Sequence, residues 1–225
     1  MKDVLMSVVG LRNNFSVEKA RRTQLLLSKQ IIFEDMLPRK IRYVAGVDVA
    51  YVHDLAVGAV AVMDYATLNL VEVQTALCKA AFPYIPTLLS FREVPPAVLC
   101  IRKLKTQPDV FLVDGHGFAH PYRCGFASHL GVVLRKPTIG VAKSRLIGEL
   151  EDFRGGDFAY LKHNNEIIGA VVKTMHGHKP VYVSVGNMVS LETAIKIVKR
   201  CTRYGNIPEP IKKAHQAAAG ERKRI

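Results

Sequence analysis

Two carboxylates in this chain stand where carboxylates are costly. Asp48 interrupts the apolar run Tyr43-Val44-Ala45-Gly46-Val47-Asp48-Val49-Ala50-Tyr51, which reads as a buried strand. A charge there costs on the order of several kcal/mol unless it is paired, hydrogen-bonded or bound to a metal. Asp114 ends a second apolar run, Val110 to Val113, and is followed by Gly115-His116-Gly117. The two glycines let the backbone turn tightly and approach a ligand, and a carboxylate at the end of a buried strand is how an α/β sheet usually presents a site. Read locally, a polar loop with a capping Asp accounts for the same pattern. With Glu93 and His215 the set becomes three hard oxygen ligands and one imidazole, which suits Mg²⁺ or Mn²⁺ and not zinc. Lys143-Ser144-Arg145, at the end of another apolar run, adds two cations and a hydroxyl where a phosphate could be held. The chemistry implied is metal-assisted hydrolysis of a phosphodiester.

These residues need elements to bring them together. Ser16 is placed to cap a helix whose Val17, Ala20, Leu27 and Ile31 recur at helical spacing. The Asp48 strand, then Ala56 to Met63 and Leu68 to Leu77, predict an antiparallel meander. Between Ala81 and Glu93 the prolines Pro83 and Pro86 flank Tyr84-Ile85, stiffening a loop that holds an aromatic ring outward, suited to stacking on a nucleobase. Ser90 to Glu93 has capping-box spacing, but Pro95-Pro96 is expected to cut that helix and restart another through Leu104. The Asp114 strand, a helix over 127–134 and a strand over 137–142 form the parallel crossover of an α/β sheet. Residues 166–173 and 180–185 predict a hairpin, with His176 and His178 in a solvated turn. Ser190 caps an amphipathic helix, and a short terminal helix carries His215 ahead of a frayed basic end. No internal repeat or low-complexity tract is present. The expected fold is a mixed α/β sheet, an antiparallel meander followed by parallel strands, flanked by helices in a single domain over 1–225.

Charge narrows the partner. Thirty-two Lys and Arg against 19 Asp and Glu give +13 at pH 7, an excess that fits a polyanion, nucleic acid before membrane. A solvated basic surface is the plainer explanation of that charge. No apolar span of transmembrane length appears. The four cysteines, Cys78, Cys100, Cys124 and Cys201, contain no C-x-x-C pair and read as reduced thiols. The first fourteen residues lack the plan of a signal peptide. A cytoplasmic monomer is the expectation.

In order along the chain stand Gly46-Val47-Asp48-Val49-Ala50-Tyr51, Pro83-Tyr84-Ile85-Pro86, Phe91-Arg92-Glu93, Val113-Asp114-Gly115-His116-Gly117, Ala119-His120-Pro121, Gly125-Phe126-Ala127-Ser128-His129-Leu130-Gly131, Gly140-Val141-Ala142-Lys143-Ser144-Arg145-Leu146 and Ala214-His215. This ordered set closely resembles endonuclease V, the deaminated-base repair nuclease family with a ribonuclease H-like fold. The resemblance implies that Asp48 and Asp114 bind a catalytic Mg²⁺, with Glu93 and His215 completing the acidic centre. It implies that Tyr84 is a wedge filling the gap left by an extruded base, and that the Gly115-His116-Gly117 turn lines a hypoxanthine pocket, as expected of a reader that flips its base. His120 and Lys143 match positions near the scissile phosphate, and Arg92, Ser144 and Arg145 fall within the matching blocks. Cleavage is implied at the second phosphodiester 3′ to the lesion. Two positions depart from the family pattern: Tyr122 replaces a basic residue before Arg123, and Lys212-Lys213 stands where an Arg precedes the final His, without the Arg fork.

Two other readings compete. The same centre would serve a nuclease acting mainly on inosine-containing RNA. A noncatalytic nucleic-acid binder would share the basic surface, yet it gains nothing from carboxylates facing a polyanion without a metal.

Overall fold

The computed structural model describes residues 16–153 and 156–225; the stretch read for a signal peptide lies outside the described residues. In chain order the elements are α1 (Val17–Ser28), β1 (Tyr43–Val52), β2 (Leu55–Asp64), β3 (Leu70–Lys79), α2 (Ser90–Ile101), β4 (Val110–Asp114), α3 (Phe126–Leu134), β5 (Thr138–Ala142), β6 (Glu149–Leu150), β7 (Phe158–His163), β8 (Glu166–Val172), β9 (Val181–Asn187), α4 (Leu191–Arg200) and α5 (Glu209–Arg222). The strands form one sheet in the order β3-β2-β1-β4-β5-β9-β8-β7-β6. β1 to β3 make the predicted antiparallel meander, and β1, β4 and β5 run parallel. No helix among the described residues is long and apolar enough to cross a membrane.

Both faces of the central strands are covered, so their side chains divide by parity. Val110 and Leu112 of β4 join one core with Val44, Ile195, Ile197 and Ile211. Phe111 and Val113 join the other with Ala45, Val47, Val94, Ala97, Phe126 and Leu130. Parity therefore puts Asp48 and Asp114 on the first face, the one α5 covers. Gly46 explains how α5 gets there: a Cβ at this position would overlap the Pro210 backbone. The missing side chain lets the helix lie directly on β1.

Three expectations need correction. α2 is continuous from Ser90 through Pro95 and Pro96, where a break was expected. The prolines remove the bonds to the Phe91 and Arg92 carbonyls, but Val94, Pro96, Ala97, Val98 and Cys100 are buried. The Pro96 carbonyl sits so close to Gly58 that no Cβ would fit. Packing on β2 thus outweighs the lost bonds. Ser90 does not cap either; its hydroxyl pairs with His129 Nδ1 at 3.1 Å, and the N-cap Leu89 makes no side-chain bond. The terminal helix is fourteen residues long and runs to Arg222, because Ala214 and Ala218 are buried beneath it.

Candidate active site

Asp48 and Asp114 meet through strand register. Val47 pairs with Val113 across the parallel β1 and β4, so the next residue of each strand lies at the same height. Across the sheet, Asp114 pairs with Val141 of β5, which brings the turn after β5 alongside. From above, α5 delivers His215, whose Nδ1 lies 2.7 Å from Asp48 Oδ2 across 167 residues of chain. Ligand atoms of Asp48, Asp114 and His215 all lie within 4.8 Å of one another, which is a spacing one cation could span. Asp48 is buried, Asp114 half-buried and His215 exposed, so the cluster opens to solvent on the His215 side.

Charge is balanced unevenly in this cluster. Asp48 Oδ1 accepts the Val49 amide at 2.8 Å, and Lys143 Nζ donates to Asp114 Oδ2 at 2.6 Å. Burial pushes Asp114 above the usual carboxylate range, with the Asp48 charge adding and Lys143 opposing. Glu93 arrives from α2 on the opposite face, and burial together with the charges of Asp48 and Asp114 pushes its carboxyl up to about 8. Three carboxylates with too little positive charge between them form a set that a divalent cation would relieve. The donors brought together fit a hard cation: oxygens from Asp48 and Asp114 and one imidazole from His215, with Glu93 outside that cluster.

The other candidate residues divide into exposed and committed groups. Lys143, Ser144 and Arg145 are exposed beside Asp114. Tyr84 is 70% exposed, at the tip of its loop between Pro83 and Ile85. By contrast, Arg92 is turned inward, donating to the Phe82 carbonyl at 2.8 Å and lying over the Tyr51 ring at 4.7 Å. His120 is also inside the protein. Its Nδ1 accepts the Tyr122 amide at 3.2 Å, its ring bonds the Thr87 backbone, and burial lowers it to about 4. That ring is neutral at pH 7 and faces the Tyr84 loop. In the glycine turn, Gly115 N donates to the Val141 carbonyl and Gly117 N to Ser184 Oγ, at 3.1 and 2.9 Å. Those two amides are committed to the fold, so the glycines offer a ligand shape rather than donors. The buried His116 ring bonds the Ser144 backbone, and its Nδ1 has no hydrogen-bond partner among the described residues.

Both departures from the family pattern have local partners. Tyr122 lies under the Arg21 guanidinium at 5.5 Å. Lys212 bonds the Glu209 carboxylate at 2.8 Å and the Tyr204 carbonyl, closing the first turn of α5 instead of reaching toward Asp48.

Two residues escaped the sequence reading. His129 is fully buried, pairs with Ser90 and meets the Phe91 ring edge-on at 5.0 Å, fixing the start of α2 and hence Glu93. Gln24 is fully buried on α1 and reaches the Thr87 and Cys124 carbonyls at 2.8 and 2.9 Å. Its signal was present: Ala20, Gln24 and Leu27 share a helical face, and a polar residue on a buried stripe needs partners.

Known proteins share this sequence and fold. The family model described as Endonuclease V matches residues 26–216. An Endonuclease V of Thermofilum pendens is 46% identical over 211 residues, spanning 93% of this chain and 90% of its own length. The crystal structure of Endonuclease V from Streptomyces avermitilis superposes with a TM-score of 0.88 at 37% identity, covering 94% of this chain and 95% of that one. Endonuclease V of Ciona intestinalis, solved with a 23mer DNA containing an inosine followed by a ribo-adenosine, gives a TM-score of 0.83 at 37% identity over 94% of this chain and all of that one. Sequence, fold and the converging acidic cluster agree, and this chain belongs to the endonuclease V family.

Proposed function

We propose that the chain is a Mg²⁺-dependent endonuclease that recognises deaminated bases in DNA, chiefly the hypoxanthine of deoxyinosine, and hydrolyses the second phosphodiester bond 3′ to the lesion. The observation that carries this reading is the cluster of Asp48, Asp114 and His215 within 4.8 Å, open to solvent beside the exposed cations Lys143 and Arg145. Asp48 and Asp114 would hold the ion, with Glu93 and His215 completing its surroundings. An ion held there would supply polarisation of the phosphoryl oxygens and acidification of the attacking water.

The chain's own groups do the rest. Lys143, held on Asp114, and Arg145 carry positive charge to the phosphate on either side of the reacting bond. Ser144 supplies a hydroxyl there. His215 is exposed and within reach of Asp48, placed to exchange a proton with solvent. Tyr84 enters the stack where the base has left, and the turn around His116 receives that base.

The test is nicking of end-labelled duplexes carrying one deoxyinosine, one normal base, or one inosine within RNA. The expected product is a single cut one nucleotide beyond the bond that adjoins the lesion on its 3′ side, in deoxyinosine DNA and not in the undamaged duplex. Cleavage confined to the RNA would replace the substrate assignment, and binding without a cut of either would favour the noncatalytic binder.

A further inference from the structure

A residue that replaces a base in the stack must be held stiffly, and the loop that carries Tyr84 has no regular structure of its own. Its beginning is tied by Arg92, which bonds the Phe82 carbonyl. Its end is tied at Thr87, whose φ of +71° is a conformation that a β-branched residue rarely adopts. Two buried side chains meet the Thr87 backbone: the His120 ring and Gln24 Nε2, at 2.8 Å. The second hydrogen of the same Gln24 amide goes to the Cys124 carbonyl at 2.9 Å. Both partners are carbonyls, which fixes the amide with its nitrogen toward them. Gln24 Oε1 is then left buried without a partner among the described residues. A leucine of similar size would avoid that orphan. What the glutamine adds is a bridge between the Tyr84 loop and the segment that follows the Asp114 turn.

We propose that Gln24 is a positioning residue for lesion recognition: by joining the strained Thr87 carbonyl to the Cys124 carbonyl, it fixes the loop that presents Tyr84 and so sets the preference for a deaminated base within a duplex. The proposal rests on the reading of Tyr84 as the wedge. A single strand has no stack to be refilled, so the duplex is the substrate that should depend on Gln24.

The chain contains no tryptophan, so Tyr84→Trp places one fluorescent reporter at the loop tip. Adding Gln24→Leu is expected to lower the steady-state anisotropy of that single indole. In the protein that retains Tyr84, Gln24→Leu is expected to slow single-turnover nicking of a deoxyinosine duplex about ten-fold, while nicking of the same lesion in a single strand stays within about two-fold. Gln24→Met, which fills similar volume but offers no donor to either carbonyl, is expected to shift both readouts the same way and covers a Gln24→Leu protein that fails to fold. Unchanged anisotropy in the two variants overturns the proposal, as does equal loss on both substrates, the mark of general destabilisation. A lowered anisotropy with an intact duplex preference also overturns it where Tyr84→Ala loses that preference. A Tyr84→Ala protein that keeps the preference removes the wedge reading and the recognition half of the proposal with it, and the anisotropy still decides the tether.

Discussion

Glu93 shows how a single residue sets function against stability. Its carboxyl is raised to about 8 by burial and by Asp48 and Asp114, against an ordinary value near 4.5. Between those pH values the folded protein holds a proton that the unfolded chain has released, so stability falls as pH rises from about 4.5 to 8. Glu93→Gln removes this penalty. At pH 7 in EDTA the variant is expected to be more stable by about 1–3 kcal/mol, visible as a Tm several degrees higher, and the difference should shrink toward pH 5. An unchanged Tm across that range would mean that Glu93 is not electrostatically crowded. Metal uptake has the matching signature. On the proposed reading a cation held by Asp48 and Asp114 would disfavour the Glu93 proton by charge, so apparent Mg²⁺ affinity should rise with pH up to about 8, and this dependence should flatten in Glu93→Gln.

At the scale of elements, the site depends on how closely α5 and α2 approach the sheet. Gly46→Ala would drive a methyl group into the Pro210 backbone, so α5 must shift and carry His215 away from Asp48. A destabilisation of about 2–4 kcal/mol in urea is expected, together with slower nicking by the fraction that folds. A variant with wild-type stability and rate would show that α5 does not need this contact. The same close approaches explain what the sequence revealed and what it hid. The meander, the parallel crossover and the capped helix at Ser190 were legible because their apolar periods and caps are local. Asp48 was legible because a charge in an apolar run is an anomaly. The continuity of α2 through Pro95-Pro96 was not, since it depends on burial against Gly58, a residue of a different strand far back in the chain. Nor were β6 and β7: the first is two residues long, and although burial alternates along Phe158 to His163, with Ala159 and Leu161 inward, the outward Phe158 and Tyr160 are aromatic, so polarity in the sequence does not alternate. His120 and Arg92 were named only through the family resemblance, and their inward bonds to Thr87 and Phe82 were not legible. Only the fold shows that both serve the Tyr84 loop from beneath.

For the whole molecule, the +13 charge is expected to make duplex binding steeply salt-dependent. Log affinity for undamaged DNA should fall linearly with log salt, each neutralised phosphate adding about 0.9 to the slope. Lys143→Ala is expected to lower that slope by about one, and an unchanged slope would place Lys143 off the strand. Charge alone would describe a binder; what makes the chain a candidate catalyst is that folding gathers Asp48, Asp114 and His215 from distant segments into one cluster. The most direct test is single-turnover nicking of a deoxyinosine duplex as a function of Mg²⁺, for the wild type and for Asp114→Asn. A nick that is absent in EDTA, saturates with Mg²⁺ and falls at least about a hundred-fold in a folded Asp114→Asn protein, roughly 2.7 kcal/mol of barrier, is the predicted result. Nicking at the wild-type rate by Asp114→Asn, or by either protein in EDTA, would contradict it.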